Sequence, residues 1–364
     1  MAANRTLRVE GMGAVITDLD KTGIVSAILP KVRLRSAIQL ERPASWLELF
    51  FDLIFVAAIA QIASPLAEDY SLAGLFRFAF FFTLVWWAWF DHTLFCSRFH
   101  VDDGCQRALT IAQIFVVAVM AANAKAGLDS RDAAGFGAAY GVMRLISMVQ
   151  YLRVRGSTGS RSAVLGHAAV LGISAMLWIF AALFPLPLRF ALWAAGVLLD
   201  CAAPWLLRKQ LRTLPPDSAH LPERYGLFTI ILLGEFVASV MRGMEAQESW
   251  PPLAFVSAVG GFCVAFACWW FYFERCKAAE PGAINADRSH GKLQVWLYIH
   301  LPMYLSLVVI GVGVEHNVGG HHFGLEEAGL MAGSALLLGF SFAALKRRAT
   351  REPWDASKSA MAGT

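Results

Sequence analysis

Charged residues are scarce in this sequence: Asp, Glu, Lys and Arg make up 16% of its 364 residues, against roughly 25% in an ordinary soluble domain. The formal net charge is only +4, and the basic residues lie at the ends of apolar segments, so nothing indicates nucleic-acid binding. Hydrophobic residues make up 57% of the chain. This composition predicts an all-α integral membrane protein whose first partner is the lipid bilayer.

The sequence also lacks the motifs of cofactor-dependent enzymes. Its six cysteines show neither CxxC pairs nor the spacing of metal ligands, so neither a disulfide framework nor a metal site is predicted. GxSxG, P-loop and dinucleotide-binding patterns are absent as well. Residues 1–40 lack the long apolar core and cleavage site of a signal peptide. Because the metal-ligand spacings and the nucleotide-binding motifs are missing, we predict no cofactor.

Long apolar runs are abundant. A helix that crosses the bilayer needs roughly 20 mostly apolar residues, and this criterion predicts about ten transmembrane helices. The predicted spans are residues 46–67, 74–97, 105–126, 132–153, 163–184, 187–208, 222–242, 251–275, 290–314 and 326–346.

The distribution of basic residues predicts the orientation. Of the 31 Lys and Arg residues, 25 fall in the two tails and the even-numbered connections, Arg224 among them, and 5 fall in the other connections. Arg144, in the middle of the span 132–153, is the one basic residue left over from this count. Because basic residues concentrate on the cytoplasmic side, we expect both termini in the cytoplasm and the protein in the bacterial inner membrane.

A weak internal repeat is present. The pair Glu41-Arg42 recurs as Glu223-Arg224 after 182 residues, and Trp86-Trp87 recurs as Trp269-Trp270 after 183. Spans 1–4 therefore look like a parallel copy of spans 7–10, an architecture typical of transporters. The alternative is that aromatic helix ends resemble each other because Trp and Tyr favour membrane interfaces. The predicted divisions are a basic arm (1–45), repeat 1 (46–153), two linking helices (154–208), repeat 2 (222–346) and a tail (347–364).

Polar side chains inside the spans are the candidate functional residues. Glu48 and Asp52 are four residues apart and share one helical face. A carboxylate at the centre of a membrane helix costs roughly 3 kcal/mol, so such residues face protein, water or an ion. The candidate residues of a substrate, ion or proton pathway are Glu48, Asp52, Asp91, His92, Tyr140, Arg144, Asp200, Glu235 and Glu274.

This set has six carboxylates and one guanidinium. Arg144 keeps its charge, so it must pair with a carboxylate, and we expect that partner to be Glu48 or Asp52. The remaining acids suit proton coupling or cation binding, and Glu48, Asp52, Arg144 and Glu235 are expected to line a site between the repeats. The alternative is a structural salt bridge that holds helices together.

Four segments carry a family resemblance. They are WLELFFDLIFV (46–56), WWAWFDHTLFCSRFHVDD (86–103) followed by Arg107, AAYGVMR (138–144) and ERYGLFTIILLGE (223–235). Together they resemble the bacterial low temperature requirement A (LtrA) family. The resemblance implies a multi-spanning bacterial membrane protein, named for a growth phenotype in the cold, and it supplies no substrate.

A second, fainter similarity concerns the first span. Residues 50–55 (FFDLIF) are similar to the Phe-Ser-Asp-x-x-Phe signature that opens each repeat of a family of organellar and bacterial potassium channels. Phe51 replaces the serine here, and the second copy has no equivalent around Glu235. The similarity implies a cation channel, and these departures argue against that mechanism.

The sequence leaves several functions open. The leading hypothesis is a secondary transporter of an unknown small solute or ion, coupled to protons or cations. The alternatives are a cation channel, a lipid-modifying membrane enzyme that uses Asp91, His92 and Asp103, and a structural or sensory protein. A homodimer is compatible with the sequence, although no segment specifies its interface.

Overall fold

The computed structural model describes residues 33–34, 44–124, 131–156, 160–247, 249, 251–278, 290–321 and 324–348. Most of the predicted arm, with its Glu41-Arg42 pair, and most of the predicted tail lie outside these residues. A π-helical turn, Phe271–Arg275, continues helix α9 (Pro252–Trp270), and β1 (Arg33–Leu34) pairs antiparallel with β2 (Phe99–His100). The helices are α1 (Trp46–Glu68), α2 (Leu72–Arg98), α3 (Gly104–Ala124), α4 (Arg131–Val154), α5 (Arg161–Ala181), α6 (Leu188–Leu206), the short α7 (Arg208–Leu211), α8 (His220–Glu245), α9 (Pro252–Trp270), α10 (His290–Val318) and α11 (Leu325–Arg348).

The predicted all-α membrane class is confirmed. Within the described residues, nine helices are long and apolar enough to cross a bilayer. The remaining predicted span, 132–153, is the 24-residue helix α4. It is long enough to cross, but residues such as Gly137, Ser147 and Gln150 make it less apolar than the other nine. Its polar side chains therefore need protein neighbours.

The first helix starts at a specific local signal. The Ser45 hydroxyl accepts a hydrogen bond from the backbone N–H of Glu48 at 3.3 Å, and the Glu48 carboxylate accepts one from the backbone N–H of Ser45 at 2.9 Å. This reciprocal pair is a capping box, which satisfies two of the N–H groups that a helix start leaves open. Glu48 therefore fixes the beginning of α1 as well as facing the bundle.

Burial separates central from peripheral helices. In α10, 72% of the most apolar stretch is buried inside the protein, whereas the fraction is 28% in α9 and α11 and 22% in α6. Helices α1, α2, α8 and α10 contact one another at the centre. Large apolar side chains such as Leu336 and Phe340 on α11 are exposed, as lipid-facing residues are.

The two halves of the chain share part of their packing pattern. Helix α1 packs on α2 and α3, and α3 packs on α4. In the same way, α8 packs on α9 and α10, and α10 packs on α11. The halves differ in that α9 packs on α10, whereas α2 packs on α4. Helix α5 packs on α4, and α6 packs on α5, so these two helices extend the bundle beyond α4.

Candidate functional site

Asp52 on α1 pairs with Arg224 on α8 in the centre of the bundle. Both side chains are fully buried. Arg224 Nε donates to Asp52 Oδ2 at 3.0 Å, and Arg224 Nη2 donates to Oδ1 of the same carboxylate. Trp89 Nε1 on α2 donates a further hydrogen bond to Asp52 at 2.7 Å. This two-pronged arrangement is the strongest geometry available to a carboxylate and a guanidinium.

Glu48 extends the same cluster by one helical turn. Its carboxylate lies 3.7 Å from Arg224 Nη1 and 3.2 Å from Nε2 of His220, the first residue of α8. The other ring nitrogen of His220 lies 3.2 Å from the Ser97 hydroxyl on α2. We call Glu48, Asp52, His220 and Arg224 the Arg224 cluster. It joins α1, α2 and α8.

The expected partner of Arg144 was therefore wrong. Glu48 and Asp52 bind Arg224 because α1 packs on α8, while α4 packs on α3, α5 and α2. The count of basic residues had placed Arg224 in a connection, but the fifth residue of α8 is fully buried. The intramembrane set consequently contains two guanidiniums that each face two carboxylates.

Arg144 on α4 organises a second cluster. Its guanidinium lies 3.6 Å from Asp91 on α2 and 3.5 Å from Asp200 on α6. The Tyr140 hydroxyl accepts a 2.5 Å hydrogen bond from Arg144 and donates one of 3.1 Å to Asp200. Asp91 also accepts a hydrogen bond from His167 Nε2 on α5 at 3.0 Å. We call these five residues the Arg144 cluster.

The charges of the Arg144 cluster do not balance. Two carboxylates face one guanidinium, and His167 carries a charge only when it is protonated. A proton on His167 or on either aspartate would bring the cluster to neutrality, and buried ionic groups favour such balance. The arrangement can therefore hold or release a proton beside a fixed positive charge.

A cavity of about 340 Å³ lies against the Arg144 cluster. Asp91, His167 and Asp200 contribute to its wall, so three of the five cluster residues reach it. Trp87 and Leu297 supply apolar surface from α2 and α10. Residues of the connection between α6 and α8 also line the cavity, and we call the part around the exposed Arg212 its mouth. The cavity thus leads from one end of the bundle to buried ionisable side chains.

The other predicted residues lie elsewhere. His92 is buried on the side of α2 that faces α1, where its ring stacks on Phe51 with centroids 3.9 Å apart. Glu235 binds Arg242, which also binds Glu315. Glu315 is on α10, 18 residues beyond the cavity residue Leu297 and so roughly 27 Å along the helix. The expected grouping of Glu48, Asp52, Arg144 and Glu235 around one site is therefore wrong.

The last predicted residue, Glu274, is exposed on the π-helical turn. Three residues of the clusters were not predicted at all: Arg224, His220 and His167. His220 lies in the predicted connection between spans 187–208 and 222–242. Arg224 and Tyr225 belong to ERYGLFTIILLGE (223–235), one of the four segments that resemble the LtrA family, but the count of basic residues assigns the arginine to a connection. His167 is a lone histidine in an apolar helix, a pattern that does not single out a site. Among the described residues, no group of three or more His, Cys, Asp or Glu side chains could hold a metal ion.

Comparisons with known proteins identify the family of the chain. Residues 43–363 match the family model described as bacterial low temperature requirement A protein (LtrA). The chain is also similar to an uncharacterized protein of Rhizobium meliloti (strain 1021), with 27% identity over 308 residues, covering 79% of this chain and 74% of that protein. No solved structure matches the chain significantly. Since the family model covers most of the sequence, this multi-pass membrane protein belongs to the bacterial LtrA family.

Proposed function

We propose that the protein is a secondary transporter coupled to protons or cations, and that the cavity beside the Arg144 cluster is its solute site. The observation that supports this proposal is the cavity itself, which brings Asp91, His167 and Asp200 to a space that opens at one end of the bundle. Ionisable side chains on such a cavity wall are a hallmark of solute and proton pathways.

The mechanism follows from the charges. Arg144 stays positive, so protonation of Asp91, Asp200 or His167 changes the net charge next to the cavity by one unit. A solute and a proton that enter from the same side would therefore alter each other's binding, which is the coupling that a carrier needs. Arg144, held by Tyr140, would orient the aspartates.

The proposal includes alternating access between two parallel repeats, 46–153 and 222–346, related by an axis along the membrane normal. The shared packing of α1–α4 and α8–α11 supports this division. Both termini are proposed to lie in the cytoplasm, with the mouth of the cavity on the same side of the bacterial inner membrane. The homodimer stays a prediction, and mass measurement of the detergent-solubilised protein would test it.

We favour a carrier over the alternatives for structural reasons. The channel hypothesis rests on residues 50–55, but Asp52 of that segment binds Arg224 and Trp89 and does not line the cavity. The lipid-modifying hypothesis needs Asp91, His92 and Asp103 to converge. Asp103 binds Arg153 at 2.8 Å, and His92 faces α1, so their contacts give that hypothesis no support.

The test is ion flux in proteoliposomes that contain purified protein, under imposed proton and potassium gradients. We expect wild type to move one of these ions, and Asp91→Asn and Asp200→Asn to reduce the flux to the protein-free background. Glu274→Gln is the matched control, because that carboxylate is exposed and is not one of the residues that line the cavity. Equal flux through folded wild type and Asp200→Asn would contradict the proposal.

A further inference from the structure

Arg98 is a buried guanidinium that lacks a carboxylate partner within the described part of the chain. It is the last residue of α2 and is only 5% exposed. Its Nη1 donates a 3.3 Å hydrogen bond to the Tyr151 hydroxyl, while its Nε has no hydrogen-bond partner among the described residues. Arg144 and Arg224 each lie beside two carboxylates. Arg98 therefore differs from the other fully buried arginines of the bundle.

The side chain of Arg98 forms part of the cavity wall, near the mouth. Asp91 and Asp200 reach the same cavity, but both are already paired with Arg144, and Asp91 also binds His167. The exposed Arg212 adds a second positive charge at the mouth. Once a proton on His167, Asp91 or Asp200 has brought the Arg144 cluster to neutrality, the charge that remains uncompensated on the cavity wall is positive.

We propose that Arg98 binds the carboxylate or phosphate group of a small organic anion whose apolar body lies against Trp87 and Phe90. The identification of the cavity as a solute site rests on the proposed function. A guanidinium presents a planar set of donors that fits two oxygens of such a group at once. A bound anion would also supply the counterion that a buried charge requires.

The dimensions of the cavity agree with a small solute. Its volume of about 340 Å³ is at the lower end of the roughly 300–1,000 Å³ range of ligand pockets. Two aromatic rings and several leucine and proline side chains line it, and a few polar groups converge near its end. This combination favours an aromatic or branched organic acid over a fully hydrated inorganic ion.

Binding of phenylacetate to the full-length protein tests the proposal. The measurement is isothermal titration calorimetry in an uncharged detergent, with neutral phenylacetamide as the matched ligand. We expect phenylacetate to bind and phenylacetamide to bind at least about tenfold more weakly, because the amide forfeits the charge-assisted hydrogen bonds. Equal affinity for the two compounds, or no binding of phenylacetate, would overturn the proposal.

Variants locate the anion site. Arg98→Gln should weaken phenylacetate binding by roughly tenfold or more, Arg98→Lys should retain part of it, and Arg155→Gln should leave it unchanged. Arg155 is the matched control because it is an exposed arginine whose side chain, within the described residues, donates to a backbone carbonyl and to no carboxylate. Loss of affinity in Arg155→Gln as large as in Arg98→Gln would overturn the assignment. If Arg98→Gln does not fold, the comparison of phenylacetate with phenylacetamide on wild type decides.

Two further arms identify the source of the anion and separate this proposal from the transporter proposal. Inorganic phosphate should compete with phenylacetate, whereas competition by phosphatidylglycerol alone would mean a lipid headgroup site and would overturn the solute proposal.

Proton or potassium flux that depends on Asp200, without binding of any organic anion, would refute this inference and leave the transporter proposal standing. Arg98-dependent binding without any flux would refute the transporter and leave the anion site.

Discussion

Asp52 on α1 and Arg224 on α8 form a double hydrogen bond although 172 residues separate them in sequence. Both side chains are inaccessible to solvent, and Trp89 on α2 donates to the same carboxylate. The pair connects the first and second halves of the chain at the centre of the bundle. Because each charge is buried, each depends on the other for compensation.

Asp52→Asn should destabilise the protein strongly. The substitution leaves Arg224 buried with only Glu48 at 3.7 Å, and removal of one partner of a buried pair costs roughly 3–5 kcal/mol. Thermal unfolding in mild detergent should show a clearly lower Tm. Asp102→Asn is the control, since its pair with Arg107 is exposed and such pairs contribute roughly 0–1 kcal/mol. Equal decreases in Tm would refute the central role of the Asp52–Arg224 pair.

Tyr140→Phe should weaken the Arg144 cluster without changing its charge. The hydroxyl accepts from Arg144 and donates to Asp200, and loss of a buried hydrogen-bond partner costs roughly 1–3 kcal/mol. The free energy of unfolding, measured by denaturant titration, should fall by that amount. Tyr225→Phe is a matched control, because the Tyr225 hydroxyl is buried and has no hydrogen-bond partner in the described chain. If both variants lose the same stability, the Tyr140 hydrogen bonds do not hold the cluster together.

The proposed orientation predicts which thiols a membrane-impermeant maleimide can reach. Arg212→Cys lies at the mouth of the cavity, whereas Leu325→Cys lies at the start of α11, at the other end of the 29-residue helix α10. In a background without the native cysteines, we expect intact spheroplasts to label Leu325→Cys only. Arg212→Cys should label after the membrane is permeabilised. The reverse pattern would place the mouth outside.

Gly141→Ala should disturb the packing of α4 on α5. An added Cβ would lie 2.6 Å from Cγ1 of Ile179 and 3.0 Å from the carbonyl oxygen of Ala175, and overpacking of this kind costs roughly 1–3 kcal/mol. A lower Tm is the expected result. Gly260→Ala is the comparison, because nothing lies within 4 Å of its added Cβ, so helix propensity should keep or raise the Tm. A Gly141→Ala protein as stable as Gly260→Ala would contradict the close approach.

The helices were predictable from the sequence because a long apolar run that ends near a basic residue commonly forms a transmembrane helix. Even α4, the least apolar of the predicted spans, forms a helix over the expected residues. The existence of buried charge was predictable as well, since Asp52, Asp91, Arg144 and Asp200 stand among apolar residues. The sequence therefore predicts correctly which segments form apolar helices and that these four charged side chains are buried in them.

The pairing of those charges was not predictable, because it depends on which helices become neighbours. Asp52 and Arg144 were expected to meet, but α1 packs on α8 and α4 packs beside α5. Arg224 lies four residues from the start of its helix, so a count by connections assigned it to a loop. His167 acquires a role only because α5 brings its ring to Asp91. Tertiary packing, rather than local pattern, determines both ion-pair clusters.

The short β1–β2 pairing gives the N-terminal arm a mechanical connection to the cavity. Arg33 and Leu34 pair with His100 and Phe99, and Phe99 follows Arg98 directly. A force on Arg33 or Leu34 would be transmitted to the end of α2 through these two backbone pairs. Shortening the arm beyond Leu34 would release that tether, and the last turn of α2 would then be held by the contacts of Ser97 with His220 and of Arg98 with Tyr151.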